Sequence, residues 1–226
     1  MFSLGDPDML SQILRITVCI FGGAAAAFLA ELWQSHLMRE RGLKGELPVK
    51  TERIVYVLMA ICGGLAGVLT EGVFAPLCVL AFLGICCVIA MMDFRFRVIP
   101  NQTLLALIGL KLLTGLASLA GLPLPVPFDL LQSLLGMLVC FAVFVLPGFF
   151  GKNVGAGDVK LAAVMGFFLG LWYSLLGIMA MGLGAIAYTV LQRRAPLLSF
   201  VKTMIPMGPF ITVGMYLVLV GAPLIG

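Results

Sequence analysis

Long apolar runs broken by short polar interruptions dominate this chain. They fall at about 12–33, 54–70, 73–92, 103–120, 130–150, 159–171, 173–191 and 204–221. Most reach the roughly 17 to 25 residues needed to cross hydrocarbon as a helix. The runs are continuous rather than alternating, which argues against a β-barrel. The pattern predicts an all-α, polytopic transmembrane helical bundle of about eight membrane segments, with six as the lower count. Gly72, Pro76, Pro100, Gly121-Leu122-Pro123 and Pro147-Gly148 mark several segment ends.

The stretch 161–191 is a single apolar run of 31 residues. As one helix it would be about 46 Å long, against a hydrocarbon core of about 30 Å. A turn near Gly170-Leu171-Trp172 would divide it into one short and one ordinary span. A re-entrant segment satisfies the same pattern. Gly63, Gly64 and Gly67, and again Gly177, Gly182 and Gly184, recur at helical spacing and are expected to let helices approach closely in lipid.

Composition agrees: 62% of the 226 residues are hydrophobic and 11% are charged, and no large soluble domain is left over. The whole chain, 1–226, reads as one integral-membrane domain. Its N-terminus has no basic n-region and no cleavage-site pattern, so the first span is expected to be retained. No basic, aromatic-interleaved surface points to nucleic acid. Cys19, Cys62, Cys78, Cys86, Cys87 and Cys140 all lie in apolar runs without a CxxC pair. They read as packing residues, not as a zinc site or disulfide framework.

Charge supplies the orientation. The 34–53 linker carries Arg39, Arg41, Lys44, Lys50 and Arg53, and the 93–102 linker carries Arg95 and Arg97. Lys152 and Lys160 flank the next connection, and Arg193, Arg194 and Lys202 follow the run ending at 191. The alternate connections, 71–72 and 121–129, hold no Lys or Arg. Basic excess marks the cytoplasmic side.

That assignment puts two aspartates on one membrane edge. Asp93 closes an apolar run and opens Asp93-Phe94-Arg95-Phe96-Arg97-Val98-Ile99-Pro100-Asn101. Asp158 ends Gly155-Ala156-Gly157-Asp158 and precedes Val159-Lys160. Two converging carboxylates share a proton, because like charges push their pKa values apart. One then takes a proton from water while the other polarises a carbonyl, which suits peptide hydrolysis. Gly155 and Gly157 permit close approach of an extended substrate, and Asp158 belongs in the first turn of a helix. Pro100 holds Ile99 extended and suits a helix start, and Asn101 suits a cap or a positioning role. The plainer alternatives are a solvated helix end, a cap, or an interfacial ion pair with Arg95 or Arg97. Lys111 lies mid-span, either functional or facing a polar interior. His36 reads as a solvated loop residue, and Glu40, Glu46 and Glu52 as part of a solvated linker.

These segments resemble a known family. Asp93 with Val98-Ile99-Pro100-Asn101 is similar to the first catalytic-aspartate motif of the type IV prepilin peptidases. Gly155-Ala156-Gly157-Asp158-Val159-Lys160-Leu161 is similar to their GxGD motif, and Ile205-Pro206-Met207-Gly208-Pro209-Phe210 to their Pro-x-Gly-Pro-Phe segment. The resemblance covers about residues 75–220. It implies a membrane aspartic endopeptidase with Asp93 and Asp158 catalytic and no metal or cofactor. Gly155, Gly157, Pro100, Asn101 and Lys160 would bound the substrate site. The expected partners are membrane lipids and prepilins or pilin-like preproteins, cleaved after a short basic leader at the cytoplasmic face of a prokaryotic membrane. Many bacterial members carry a cysteine-rich zinc domain in the first linker and methylate the product. Here the 34–53 linker holds no cysteine, so the resemblance narrows to peptidase-only members, such as those of tight-adherence pili or preflagellins. Two competing classes are a proton- or cation-coupled transporter with the aspartates as a relay, and a non-catalytic assembly protein.

Overall fold

The computed structural model describes residues 7–43, 49–122, 124, 126, 128–149, 155–191 and 206–225. Lys44, Glu46, Pro123, Lys152, Arg193, Arg194, Lys202 and Ile205 lie outside the described residues, as do the other residues of 44–48 in the 34–53 linker. The described residues form eight helices: α1 (Pro7–Glu40), α2 (Val49–Leu69), α3 (Phe74–Phe96), α4 (Asn101–Leu119), α5 (Leu130–Phe149), α6 (Ala156–Leu169), α7 (Leu171–Leu191) and α8 (Gly208–Ile225). Six of them, α1 to α5 and α7, are long and apolar enough to cross a membrane.

Burial is inverted relative to a water-soluble protein. Large apolar side chains such as Phe21, Leu58, Leu116, Leu138 and Leu183 are exposed, whereas Asp93, Lys111, Ser133 and Ser174 are buried. Lipid solvates the first group at no cost, while polar groups turn inward because unsatisfied ones in hydrocarbon cost several kcal/mol. The chain is therefore an all-α, multi-pass membrane protein.

Three elements depart from the sequence expectation. Helix α1 runs 34 residues, through Gln34, Ser35 and His36. At about 51 Å it outruns the hydrocarbon, so its last turns are polar without ceasing to be helical. His36 is accordingly a helical residue, not a loop residue, and pairs with Glu40 one turn on at 3.2 Å. Helix α3 continues past Asp93 to Phe96, so Asp93 lies inside the helix rather than at its end. The 161–191 run does divide, but at Gly170 alone: Leu171 and Trp172 already belong to α7. Gly170 adopts φ 82°, a left-handed conformation costly for any residue with a Cβ. Its N–H closes α6 on the Gly166 carbonyl at 2.9 Å, and its own carbonyl accepts the Ser174 N–H at 3.0 Å. The resulting α6 has 14 residues, about 21 Å, too short to span.

The chain divides into two compact units. The first comprises Met1–Val88, Gly109–Phe128 and Val220–Gly226. Here α1 and α2 meet along small residues. A Cβ on Gly23 would strike the Met59 carbonyl, one on Gly63 the Cys19 carbonyl, and one on Gly67 would come within 2.9 Å of the Cys19 Cβ. Tyr56 donates a 2.7 Å hydrogen bond to Glu31 across this seam. Lys111 is buried, with its Nζ 5.2 Å from the centre of the Phe128 ring. That is a cation–π arrangement in an inward-facing position.

The second unit comprises Ile89–Ile108 and Asp129–Leu219. Asp129 caps α5, accepting the N–H groups of Leu131 and Gln132 at 2.9 and 3.2 Å. Helices α5 and α6 pack backbone to backbone, since a Cβ on Gly136 would meet the Gly166 carbonyl and one on Gly166 the Gly136 carbonyl. Gly177 admits the Met215 sulfur, bringing α7 onto α8. Gly182 has nothing nearby and Gly184 makes only ordinary contact with Phe210, so the close approach expected of all three holds at Gly177 alone.

Candidate active site

Helix α3 delivers Asp93 three residues before its end. The side chain is only 5% exposed, more enclosed than an open membrane edge would leave it. Its main-chain carbonyl accepts the Arg97 N–H at 2.9 Å, which closes the helix. Arg97 follows at φ 52°, in the left-handed region, and turns the chain into Val98-Ile99-Pro100. Pro100 is buried and stands just before α4, where its carbonyl accepts both the N–H of Thr103 at 3.2 Å and its hydroxyl at 2.7 Å. That satisfies one turn of the helix start. Asn101 is the first residue of α4 and is exposed.

Helix α6 carries Asp158 in its first turn, as the helix dipole favours. Gly155 precedes the helix in extended conformation, φ −62° and ψ 125°. A Cβ there would sit 2.8 Å from the Asp158 Oδ2, so the bare backbone leaves room for this carboxyl group. Gly157 serves a different neighbour: a Cβ on it would lie 3.4 Å from the Ile99 Cβ. The strand-like link after α3 and the start of α6 therefore adjoin. Lys160 is exposed.

The third segment closes on the first. The Gly208 N–H, at the start of α8, donates a buried 2.8 Å hydrogen bond to the Asp93 Oδ2. A Cβ on Gly208 would come within 2.8 Å of that oxygen and 2.9 Å of the Asp93 Cβ. The approach is so close that only glycine fits. Sequence reasoning did not give Gly208 a site role. The Pro-Met-Gly-Pro-Phe pattern was the available signal.

Two effects raise the Asp158 carboxyl to about 6: burial first, and then the charge of Asp93. Asp158 stands in the first turn of α6, half-buried behind the exposed Gly155 and Ala156. A carboxyl group that keeps a proton near pH 6 beside a carboxylate anchored by a main-chain N–H can act as acid and base together. Lys160 is not among the groups that shift Asp158. Among the described residues, no three His, Cys, Asp or Glu side chains gather as a metal site would require.

The fold and site define a multi-pass helical membrane protein in which a carboxyl group near the end of α3 and one in the first turn of α6 lie close enough for the charge of one to act on the other. A family model described as the type IV leader peptidase family matches residues 80–190, which include Asp93, Pro100 and the whole Gly155–Asp158 segment. Over that stretch, just under half of the chain, the sequence is similar to the type IV leader peptidase family, which supports a leader-peptidase-like protease. No curated protein and no solved structure matches the chain.

Proposed function

We propose that this protein is an aspartic endopeptidase that removes short basic leaders from type IV prepilins or pilin-like preproteins. Asp93 and Asp158 are its catalytic pair. The observation that carries this reading is the meeting of three separated segments: Ile99 against Gly157, and the Gly208 N–H on Asp93, beside an Asp158 that senses the Asp93 charge.

In this mechanism Asp93, its Oδ2 held by Gly208, takes a proton from a water molecule, and the water oxygen adds to the scissile carbonyl carbon. Protonated Asp158 donates a hydrogen bond to that carbonyl oxygen and stabilises the charge that develops there. Collapse of the tetrahedral adduct breaks the C–N bond, and the departing amine takes the proton acquired by Asp93. The balance is one water consumed and both carboxyl groups restored. A helical peptide bond is shielded by its own hydrogen bonds, so the substrate unwinds locally. The exposed backbone at Gly155 is where an extended segment would lie, with Pro100, Asn101, Gly157 and Lys160 bounding it. The basic excess of 34–53 and 93–102 supports a site on the cytoplasmic face of a prokaryotic membrane. The 34–53 segment lacks cysteine, so the proposal is cleavage without methylation.

The test is leader release from a synthetic prepilin by the purified chain in detergent. Asp93→Asn and Asp158→Asn should each abolish release while keeping the wild-type circular dichroism. Undiminished cleavage by either variant would sink the paired-carboxyl mechanism. Proton flux in liposomes that depends on both aspartates, without cleavage, would favour the transporter instead.

A further inference from the structure

A cavity of about 820 Å³ opens in the first unit, between the N-terminal half of α1 and the Glu71–Leu80 stretch that leads into α3. Arg15 enters it about two turns into α1. Its Nε is enclosed and, among the described residues, has no hydrogen-bond partner. Among the described residues the guanidinium has no acceptor, and its terminal nitrogens, unlike the Nε, are not enclosed, so they are the donors a ligand in the cavity would meet. Glu71 lines the same cavity, and no ion pair joins it to Arg15. A cation and an anion are therefore both available to a guest. Leu14, Val18 and Leu77 continue the lining, each more than half exposed, and on a membrane-spanning chain that exposure is to acyl chains.

We propose that this cavity binds one phospholipid whose head carries both a phosphate and a primary ammonium group, that is, a phosphatidylethanolamine. The phosphate accepts from the Arg15 guanidinium, the ammonium donates to Glu71, and an acyl chain lies along Leu14, Val18 and Leu77. The charge pattern selects this head. A phosphatidylglycerol offers the same phosphate to Arg15 but only hydroxyl groups to Glu71, which is left without a counter-charge. A phosphatidylcholine presents a quaternary ammonium that has no N–H to donate. The site is independent of the aspartates and of the reaction proposed for them.

Native mass spectrometry of the full chain in detergent, titrated with each of the three lipids and with soluble phosphoethanolamine, tests this. The wild type should retain one phosphatidylethanolamine at least tenfold more tightly than either competitor. Arg15→Gln should weaken it tenfold or more. Glu71→Gln should erase the preference over phosphatidylglycerol. Leu77→Trp, which obstructs the acyl path and leaves both charges, should weaken the lipid and serves if the Arg15 variant fails to fold. Equal retention of all three lipids by the wild type, or unchanged retention by Arg15→Gln or Leu77→Trp, would overturn the proposal. So would phosphoethanolamine binding as tightly as the lipid, which would make this a site for a soluble phosphate ester.

Discussion

The Gly208→Ala variant probes the contact on which Asp93 depends. An added methyl group would sit 2.8 Å from the Asp93 Oδ2, 2.9 Å from its Cβ and 3.0 Å from its Cγ. Ordinary contacts for these pairs are about 3.4 Å or longer. The start of α8 must therefore withdraw by about 0.5 Å, which stretches the 2.8 Å hydrogen bond beyond the range of a strong one. A hydrogen bond to a charged group contributes about 1.5–3 kcal/mol. At 1.36 kcal/mol per factor of ten, losing it should lower kcat/KM by about tenfold to about a hundredfold. The assay is initial-rate leader release from the synthetic prepilin, with melting followed in the same detergent. Gly182→Ala is the control, because no described residue would lie within 4 Å of its added methyl group; it should cleave like the wild type. Gly208→Ala cleaving within about twofold of wild type would refute the idea that the main-chain anchor on Asp93 serves catalysis.

Three further outcomes follow from the same geometry. Asp158 sits at about 6 in the folded chain, above its ordinary 3.8, so its contribution to stability is fully present below about 4 and is lost as pH rises through about 6. Asp158→Asn should then melt higher than wild type at pH 8 but not at pH 4, while kcat/KM of the wild type falls on the alkaline side of an apparent pKa near 6. Arg97→Gly removes a side chain from the left-handed region and should raise unfolding free energy by about 1 kcal/mol, read as a higher melting temperature. Gly136→Val forces a side chain into the Gly166 and Gly170 backbone, and should cost at least about 3 kcal/mol and lower the melting temperature by several degrees, since neither neighbour can rotate away.

Much of this was legible in the sequence because apolar run length and segment chemistry are local properties. Both aspartates, the glycines before Asp158, and the division of the 161–191 run could be read that way. The division could be placed only near Gly170-Leu171-Trp172, because the run is apolar throughout, and the backbone at φ 82° fixes it at Gly170. The length of α1 was misjudged for a related reason. Its polar last turns resemble a linker, yet helix hydrogen bonds and the His36–Glu40 pair persist beyond the hydrocarbon. The bond from Gly208 spans 115 residues and involves no polar side chain on the donor side. Arg15 was hidden differently, as a single charge in an otherwise apolar run whose significance depends on the cavity around it.

The anchor on Asp93 has a practical consequence for functional screens. Its donor is the peptide N–H of residue 208, so truncating every polar side chain in the protein one at a time would leave it in place. If the proposed reaction holds, a survey of that kind would report the two carboxyl groups and miss what holds one of them. Within this chain the donor itself can be deleted by substitution only with proline, the one residue that carries no amide hydrogen. Both Gly208→Pro and Gly208→Ala add a Cβ against Asp93, but only the proline also deletes the donor, so the difference between the two variants reports the N–H itself.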